Sequence, residues 1–276
     1  MRRLPSALAA PVVCGLLLAG CGSSEGPSGP DTTTDAAGEP GATATDGSTG
    51  AALTGTITVF AAASLTETFT TLGKKFEAAH PGAKVVLNFG PSSGLAEQIN
   101  QGAPADVFAS ASTTNMAQVV ATKNASNPTT FAKNVLEIAV PAANPGGISK
   151  VSDLADPDVK VAVCQPAVPC GGLATQLFKN AGINVTPVSL EADVKAVLTK
   201  VDLGEVDAGL VYVTDVRSAG RKVTGIEIPS NLNVSTDYPI ATLSGSDNKQ
   251  TAQAFTDFVL SEQGTAVLTK GGFEGP

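Results

Sequence analysis

The sequence predicts an α/β protein with mostly parallel sheet, and three observations carry that expectation. From Thr54 onward, short runs rich in β-branched and aromatic residues alternate with stretches long enough to be helices, which is the pattern of βαβ units. Several of these helical stretches open on a hydroxyl or small residue directly behind a strand, as at Ser64 and Ser92, where a hydroxyl can cap the first turn. The chain has 276 residues, 42% of them hydrophobic, which suffices for one or two sizeable cores and excludes wholesale disorder.

Thr56-Ile57-Thr58-Val59-Phe60 reads as the first strand and Leu65 to Ala79 as the helix behind it. Lys84 to Phe89 is a second strand and Ser92 to Asn100 its helix, and Asp106-Val107-Phe108 is a short strand followed by a helix over Thr113 to Thr122. Val135 to Val140 and Lys160 to Val163 read as strands, Gly172 to Asn180 and Ala192 to Val201 as helices, and Ala208 to Val213 as a further strand. There is no internal repeat. Some 223 residues in this alternation fit either one large sheet or two lobes, and periodicity alone does not choose between them.

The chain before Thr54 is of a different kind. Arg2 and Arg3 precede a mostly apolar run from Leu4 to Leu18, and Leu18-Ala19-Gly20-Cys21 resembles a bacterial lipobox. Residues 1–20 are expected to be a lipoprotein signal peptide, too short and too interrupted by proline to span a bilayer, with Cys21 the residue acylated after cleavage. Residues 22–53 contain Gly, Ser, Thr, Pro, Ala and acids with almost nothing to bury, so 21–53 is expected to be a disordered tether. Its r.m.s. reach would be about 30 Å. The expected location is the extracytoplasmic face of the cell membrane, with the lipid bilayer as a partner through acylated Cys21.

Charge narrows the partners. The formal net charge is −8, and without signal and tether the rest holds 20 acids against 15 bases, a net of −5. Of the four arginines, two are Arg2 and Arg3. A chain this acidic lacks the clustered bases that neutralise phosphates, so nucleic acid is not an expected partner. Cys14 leaves with the signal and Cys21 is lipidated, so Cys164 and Cys170 remain, and outside the cytosol a disulfide is favoured over free thiols. A metal centre is not expected, since His80 is the single histidine and no other Cys is left to complete a ligand set.

Four segments, taken together and in order, carry a resemblance. Thr58-Val59-Phe60-Ala61-Ala62-Ala63-Ser64-Leu65, Phe89-Gly90-Pro91-Ser92-Ser93-Gly94-Leu95, the stretch from Gln98 to Ala111 (QINQGAPADVFASA) and Gly209-Leu210-Val211-Tyr212-Val213-Thr214-Asp215 resemble the molybdate-binding proteins of ABC importers, over about Thr54 to Phe273. The resemblance implies a type II periplasmic-binding-protein fold, two α/β lobes joined by two crossings with a ligand cleft between them. Lobe 1 would run over 54–136 plus 228–276 and lobe 2 over 137–227. It also implies a monomer that takes molybdate, and tungstate with it, to the membrane subunits of an ABC permease, without cofactor or catalysis. Oxyanion-binding positions carried over from the family are the hydroxyls of Ser64, Ser92 and Tyr212 and the backbone N–H groups of Cys170 and Val194. The family usually has a small residue where Cys170 stands, and a basic one where Glu97 stands.

Such a site would hold a tetrahedral dianion without cations, because the remaining arginines, Arg217 and Arg221, lie beyond the tyrosine motif and no lysine adjoins the serines. Four converging helix N-termini, at about +0.5 charge each, would supply roughly the missing +2. Neutral donors also favour an anion that only accepts over hydrogen phosphate, whose proton needs an acceptor. Sulfate passes that filter as well, so a sulfate or other oxyanion binder of the same fold is the alternative. A secreted serine hydrolase is the alternative from another class, because Gly90-Pro91-Ser92-Ser93-Gly94 has the G-x-S-x-G form. His80, however, precedes the serine, whereas in hydrolases of that fold the histidine follows it. Tyr238, in Asp237-Tyr238-Pro239-Ile240, reads as a structural residue of a return strand.

Overall fold

The computed structural model describes residues 52–276; the signal peptide, Cys21 and all but the last two residues of the expected tether lie outside them. Among the described residues, no helix is long and apolar enough to cross a membrane.

The first lobe begins with β1 (Gly55–Ala62), a 3-10 turn (Ala63–Leu65), α1 (Thr66–Ala79), β2 (Ala83–Gly90), α2 (Ser92–Asn100), β3 (Val107–Ala109) and α3 (Thr113–Ala121). The long strand β4 (Thr129–Pro141) leads to the second lobe: β5 (Val161–Cys164), α4 (Pro169–Ala181), β6 (Ser189–Glu191), α5 (Val194–Asp202), β7 (Ala208–Tyr212), α6 (Val213–Ala219) and β8 (Val223–Ile226). Strand β9 (Ser235–Thr242) returns to the first lobe, which ends in α7 (Lys249–Leu260) and α8 (Glu262–Gly271).

The strand order is β2-β1-β3-β9-β4-β7-β5-β6, with β8 also on β4. β1 pairs in parallel with β2 and β3, and β5 with β6 and β7, as alternating βαβ units require. Pairing turns antiparallel at the crossings: β9 lies against β3, and β4 against β9, β7 and β8. The expected mostly parallel sheet thus holds within each lobe's βαβ units but not at the strands that join the lobes. β4 serves both lobes, pairing with β9 from Thr129 to Val135 and with β7 from Leu136 to Ala139.

Burial follows this division. One core gathers Leu136 to Val140, Val161 to Cys164, Leu177, Val197, Val201 and Leu210, and it extends to Ile228 with Leu232 and Val234 packed on it. On the first lobe, one sheet face carries an aromatic cluster of Phe69, Phe76, Phe131, Tyr238, Phe255 and Phe273, and the other carries Phe60, Leu95, Ile99, Phe108, Met116 and Val119. Phe69, Leu72 and Phe76 recur at helical spacing on α1, so one stripe of that helix is buried. Phe255 stands edge-on to Phe69 and Phe76, with ring centroids 6.2 and 5.3 Å away. Phe255→Ala is expected to cost about 3–5 kcal/mol of stability, the usual range for truncating a buried aromatic, read as the shift of a denaturant unfolding curve.

Candidate functional site

The strands deliver their C-terminal ends, and the helices their N-terminal ends, to one place. Behind β1 the backbone turns through Ala63–Leu65 into α1; behind β2, Pro91 is the N-cap of α2. From the other lobe, Val168 is the N-cap of α4 and Asp193 that of α5, and β7 ends on Tyr212. The first N–H groups of each helix have no partner within it, so four sets of backbone donors and four positive dipole ends face one crevice.

These elements border a partly open cavity of ≈ 20 Å³, lined by residues that include Ser64, Ser92, Ala111, Cys170, Val194 and Tyr212. All five positions carried over from the resemblance therefore meet at one point, two from the first lobe and three from the second. About 10–15 Å³ of such space holds one water, so the space between these residues suits a compact solute.

Most of the polar side-chain atoms there are donors. Ser92 Oγ accepts the Ala111 N–H at 2.9 Å, which leaves its own hydrogen to donate. Ser64 Oγ lies 2.9 Å from the Tyr238 hydroxyl. Tyr212 is 1% exposed, and its hydroxyl has no hydrogen-bond partner among the described residues. Burial raises the pKa of that phenol well above its ordinary value, so it keeps its proton. Asp193 is the one acid lining the cavity, and its carboxylate accepts the Ala196 N–H at 3.0 Å, capping α5. No lysine or arginine is among the lining residues.

The turn leading into α4 is tightly built. Cys164 at the end of β5 is joined to Cys170 by a disulfide, Cα to Cα 5.7 Å. At Gly171, an added Cβ would sit 2.0 Å from the Gln165 carbonyl oxygen, so the helix start lies directly on that loop and only glycine fits. Helix and loop are thereby held in one arrangement, with the Cys170 N–H at the cavity.

Beside the cavity the lobes are bridged. Lys195 on α5 reaches both carboxylate oxygens of Glu67 on α1 at 2.9 Å and lies 3.1 Å from Oδ1 of buried Asp215. Burial opposes the lysine's charge, but the Asp215 and Glu67 carboxylates outweigh it and raise its pKa above the usual value. Arg217 adds contacts to the Thr269 and Lys270 carbonyls at 3.5 and 3.4 Å, at the C-terminus of α8. Lys195 is thus committed to the lobe contact rather than offered to the cavity. Neither Lys195 nor Glu67 stood out in the sequence, because the pair is separated by 128 positions.

The hydrolase alternative has no geometric support. His80 caps the C-terminus of α1, and the eight residues of β2 separate it from Ser92 by about 25 Å.

Two lobes meeting over a small cavity of hydrogen-bond donors define the class, a solute-binding protein, and a family model described as bacterial extracellular solute-binding protein matches residues 57–274. The molybdate-binding protein ModA of Mycobacterium bovis is 44% identical over 221 residues, covering 80% of this chain and 85% of the relative. ModA of Escherichia coli is 33% identical over 231 residues, 79% of this chain and 89% of the relative. The periplasmic molybdate-binding protein of Azotobacter vinelandii superposes with a TM-score of 0.71 at 20% identity, over 80% of this chain and 99% of that one. The sulfate-binding protein SubI of Mycobacterium tuberculosis does so at 0.72 with 18% identity, over 80% and 86%, a likeness of fold alone. The chain belongs to the bacterial extracellular solute-binding proteins and, within them, to the ModA family of molybdate-binding proteins.

The unpartnered Tyr212 hydroxyl yields a prediction independent of any ligand. A buried hydroxyl without a partner costs about 1–3 kcal/mol, so Tyr212→Phe should raise the unfolding free energy of the protein measured without added oxyanion. An unchanged or lowered value would show that the hydroxyl is satisfied in solution.

Proposed function

We propose that the protein captures molybdate, and tungstate with it, in the cavity between the lobes and delivers it to the membrane subunits of an ABC permease. The observation that carries the reading is the donor set: three buried hydroxyls and helix-start N–H groups around a cavity of ≈ 20 Å³ lined by no cation. A tetrahedral dianion accepts from all of them, and four helix dipoles at about +0.5 each supply the compensating charge. Ser64 and Ser92 would bind from the first lobe, and Tyr212 with the Cys170 and Val194 N–H groups from the second. The anion then favours the closed arrangement because it touches both sides. No bond is made or broken. The two lobes would act as rigid bodies, about 54–136 plus 228–276 against 137–227, with Leu136, Ile228, Leu232 and Val234 packing on the second lobe's core. The protein would work as a monomer, anchored through acylated Cys21 on the outer face of the membrane.

The relatives at 44% and 33% identity bear the name molybdate-binding protein, which favours molybdate over sulfate. In calorimetric titrations of the domain from residue 54, molybdate and tungstate should bind tightly, sulfate more weakly and phosphate weakest. Sulfate binding as tight as molybdate would replace this reading with a general oxyanion binder. Ser64→Ala and Ser92→Ala should each weaken molybdate binding by about 1–3 kcal/mol, and wild-type affinity in either would remove that hydroxyl from the site. Cys164→Ser opens the clamp behind α4 and should also weaken binding; undiminished affinity would show that the helix start keeps its position without the disulfide.

A further inference from the structure

Ser64 can aid an anion only if its hydrogen points into the cavity, and a free hydroxyl rotates. The buried groups behind it remove that freedom. Asn134, 1% exposed on β4, accepts the Val135 N–H on Oδ1 at 3.1 Å, which settles which end of its amide is which. Its Nδ2 therefore faces Thr214 Oγ1 at 2.8 Å and Tyr238 Oη at 3.5 Å. The second contact is long, but its direction is unambiguous because an amide nitrogen only donates. Tyr238 is fully buried on β9, and burial raises the pKa of its phenol, so the hydroxyl keeps its hydrogen. With an N–H directed at its oxygen, the acceptor within reach for that hydrogen is Ser64 Oγ at 2.9 Å. Ser64 then receives from behind, and its own hydrogen is left for the cavity. Ser92 is set in the same way by the Ala111 N–H.

We propose that Tyr238, oriented by Asn134, is a positioning residue that turns the Ser64 hydroxyl toward the cavity as a donor, and that it thereby disfavours oxyanions that carry a proton. The inference rests on the oxyanion-binding reading above and extends it to selectivity. A fully deprotonated dianion accepts every hydrogen the site offers. Hydrogen phosphate brings an O–H that needs an acceptor, and a hydroxyl with one lone pair occupied and its hydrogen turned into the cavity serves it poorly. Without the Tyr238 hydrogen, Ser64 is free to turn and accept. Tyr238 and Asn134 sit on the two strands that join the lobes, so the relay that sets Ser64 on one lobe is anchored in the connection between them.

The test is a double-mutant cycle read by calorimetry with molybdate and inorganic phosphate as probes, on wild type, Tyr238→Phe, Ser64→Ala and the double variant. Tyr238→Phe should weaken molybdate binding by about tenfold, the scale of one hydrogen bond, and leave phosphate binding equal or tighter, so that the ratio of the two affinities falls. The double variant should bind molybdate no worse than Ser64→Ala alone, because Tyr238 acts through that hydroxyl. Losses that multiply in the double variant, or an unaltered molybdate-to-phosphate ratio in Tyr238→Phe, would overturn the proposal. Wild type that binds sulfate but not molybdate would refute the molybdate reading alone, and the cycle would run with sulfate; wild type that binds no oxyanion would refute both. Should Tyr238→Phe not fold, NMR on wild type decides. The Tyr238 hydroxyl proton should exchange slowly and show cross-peaks to the Ser64 methylene, whereas a Ser64 hydroxyl proton directed at the Tyr238 phenolic oxygen would contradict the relay.

Discussion

The convergence of four helix starts on one cavity is the constraint on which the rest of this structure depends. Unpaired N–H groups and a buried, unpartnered Tyr212 hydroxyl are unfavourable together unless something that accepts hydrogen bonds sits among them. Such a cluster persists only if the surrounding fold holds it, and the fold does so from both sides. Parallel strands β1, β2 and β5 aim the chain at the crevice, and the Cys164–Cys170 bridge with Gly171 holds the start of α4 in place. The N-cap carboxylate of Asp193 holds the start of α5.

Acidic side chains and a negative net charge fit this arrangement better than they first suggest. A lysine beside the cavity would attract any anion, whereas N–H and O–H groups pointing inward discriminate by hydrogen-bond direction. Lys195, the cation nearest in sequence to the site, is engaged by Glu67 and Asp215, where it joins the lobes. The cation at the cleft thus joins the lobes, and none lines the cavity. The joining strands also carry buried polar residues: Asn134 and Tyr238 stand where both lobes meet, and each has its partners there.

Much of this was legible in the sequence because it is local. The βαβ alternation follows from short apolar runs and helical spacing, and Ser64, Ser92 and Tyr212, named in the sequence through the family resemblance, line one cavity because each stands at a strand end. What was not legible depends on pairing between distant segments. Antiparallel joining strands cannot be told from parallel ones by composition, so β4 and β9 were read too short or only by inference. Tyr238 read as structural because its partner Ser64 lies 174 positions away. Asn134 had a weak signal, an amide residue inside an apolar strand where such residues are disfavoured. That is the pattern of a buried polar group that must have partners elsewhere.

The central claim is that neutral donors from both lobes enclose a molybdate ion at this cavity. Anomalous diffraction from crystals of the protein grown with molybdate tests it most directly. A single molybdenum peak is expected between the lobes, with oxygens in hydrogen-bond reach of Ser64, Ser92 and Tyr212 and of the Cys170 and Val194 N–H groups. A peak placed against Lys195 or an arginine, or none in the cleft, would contradict it.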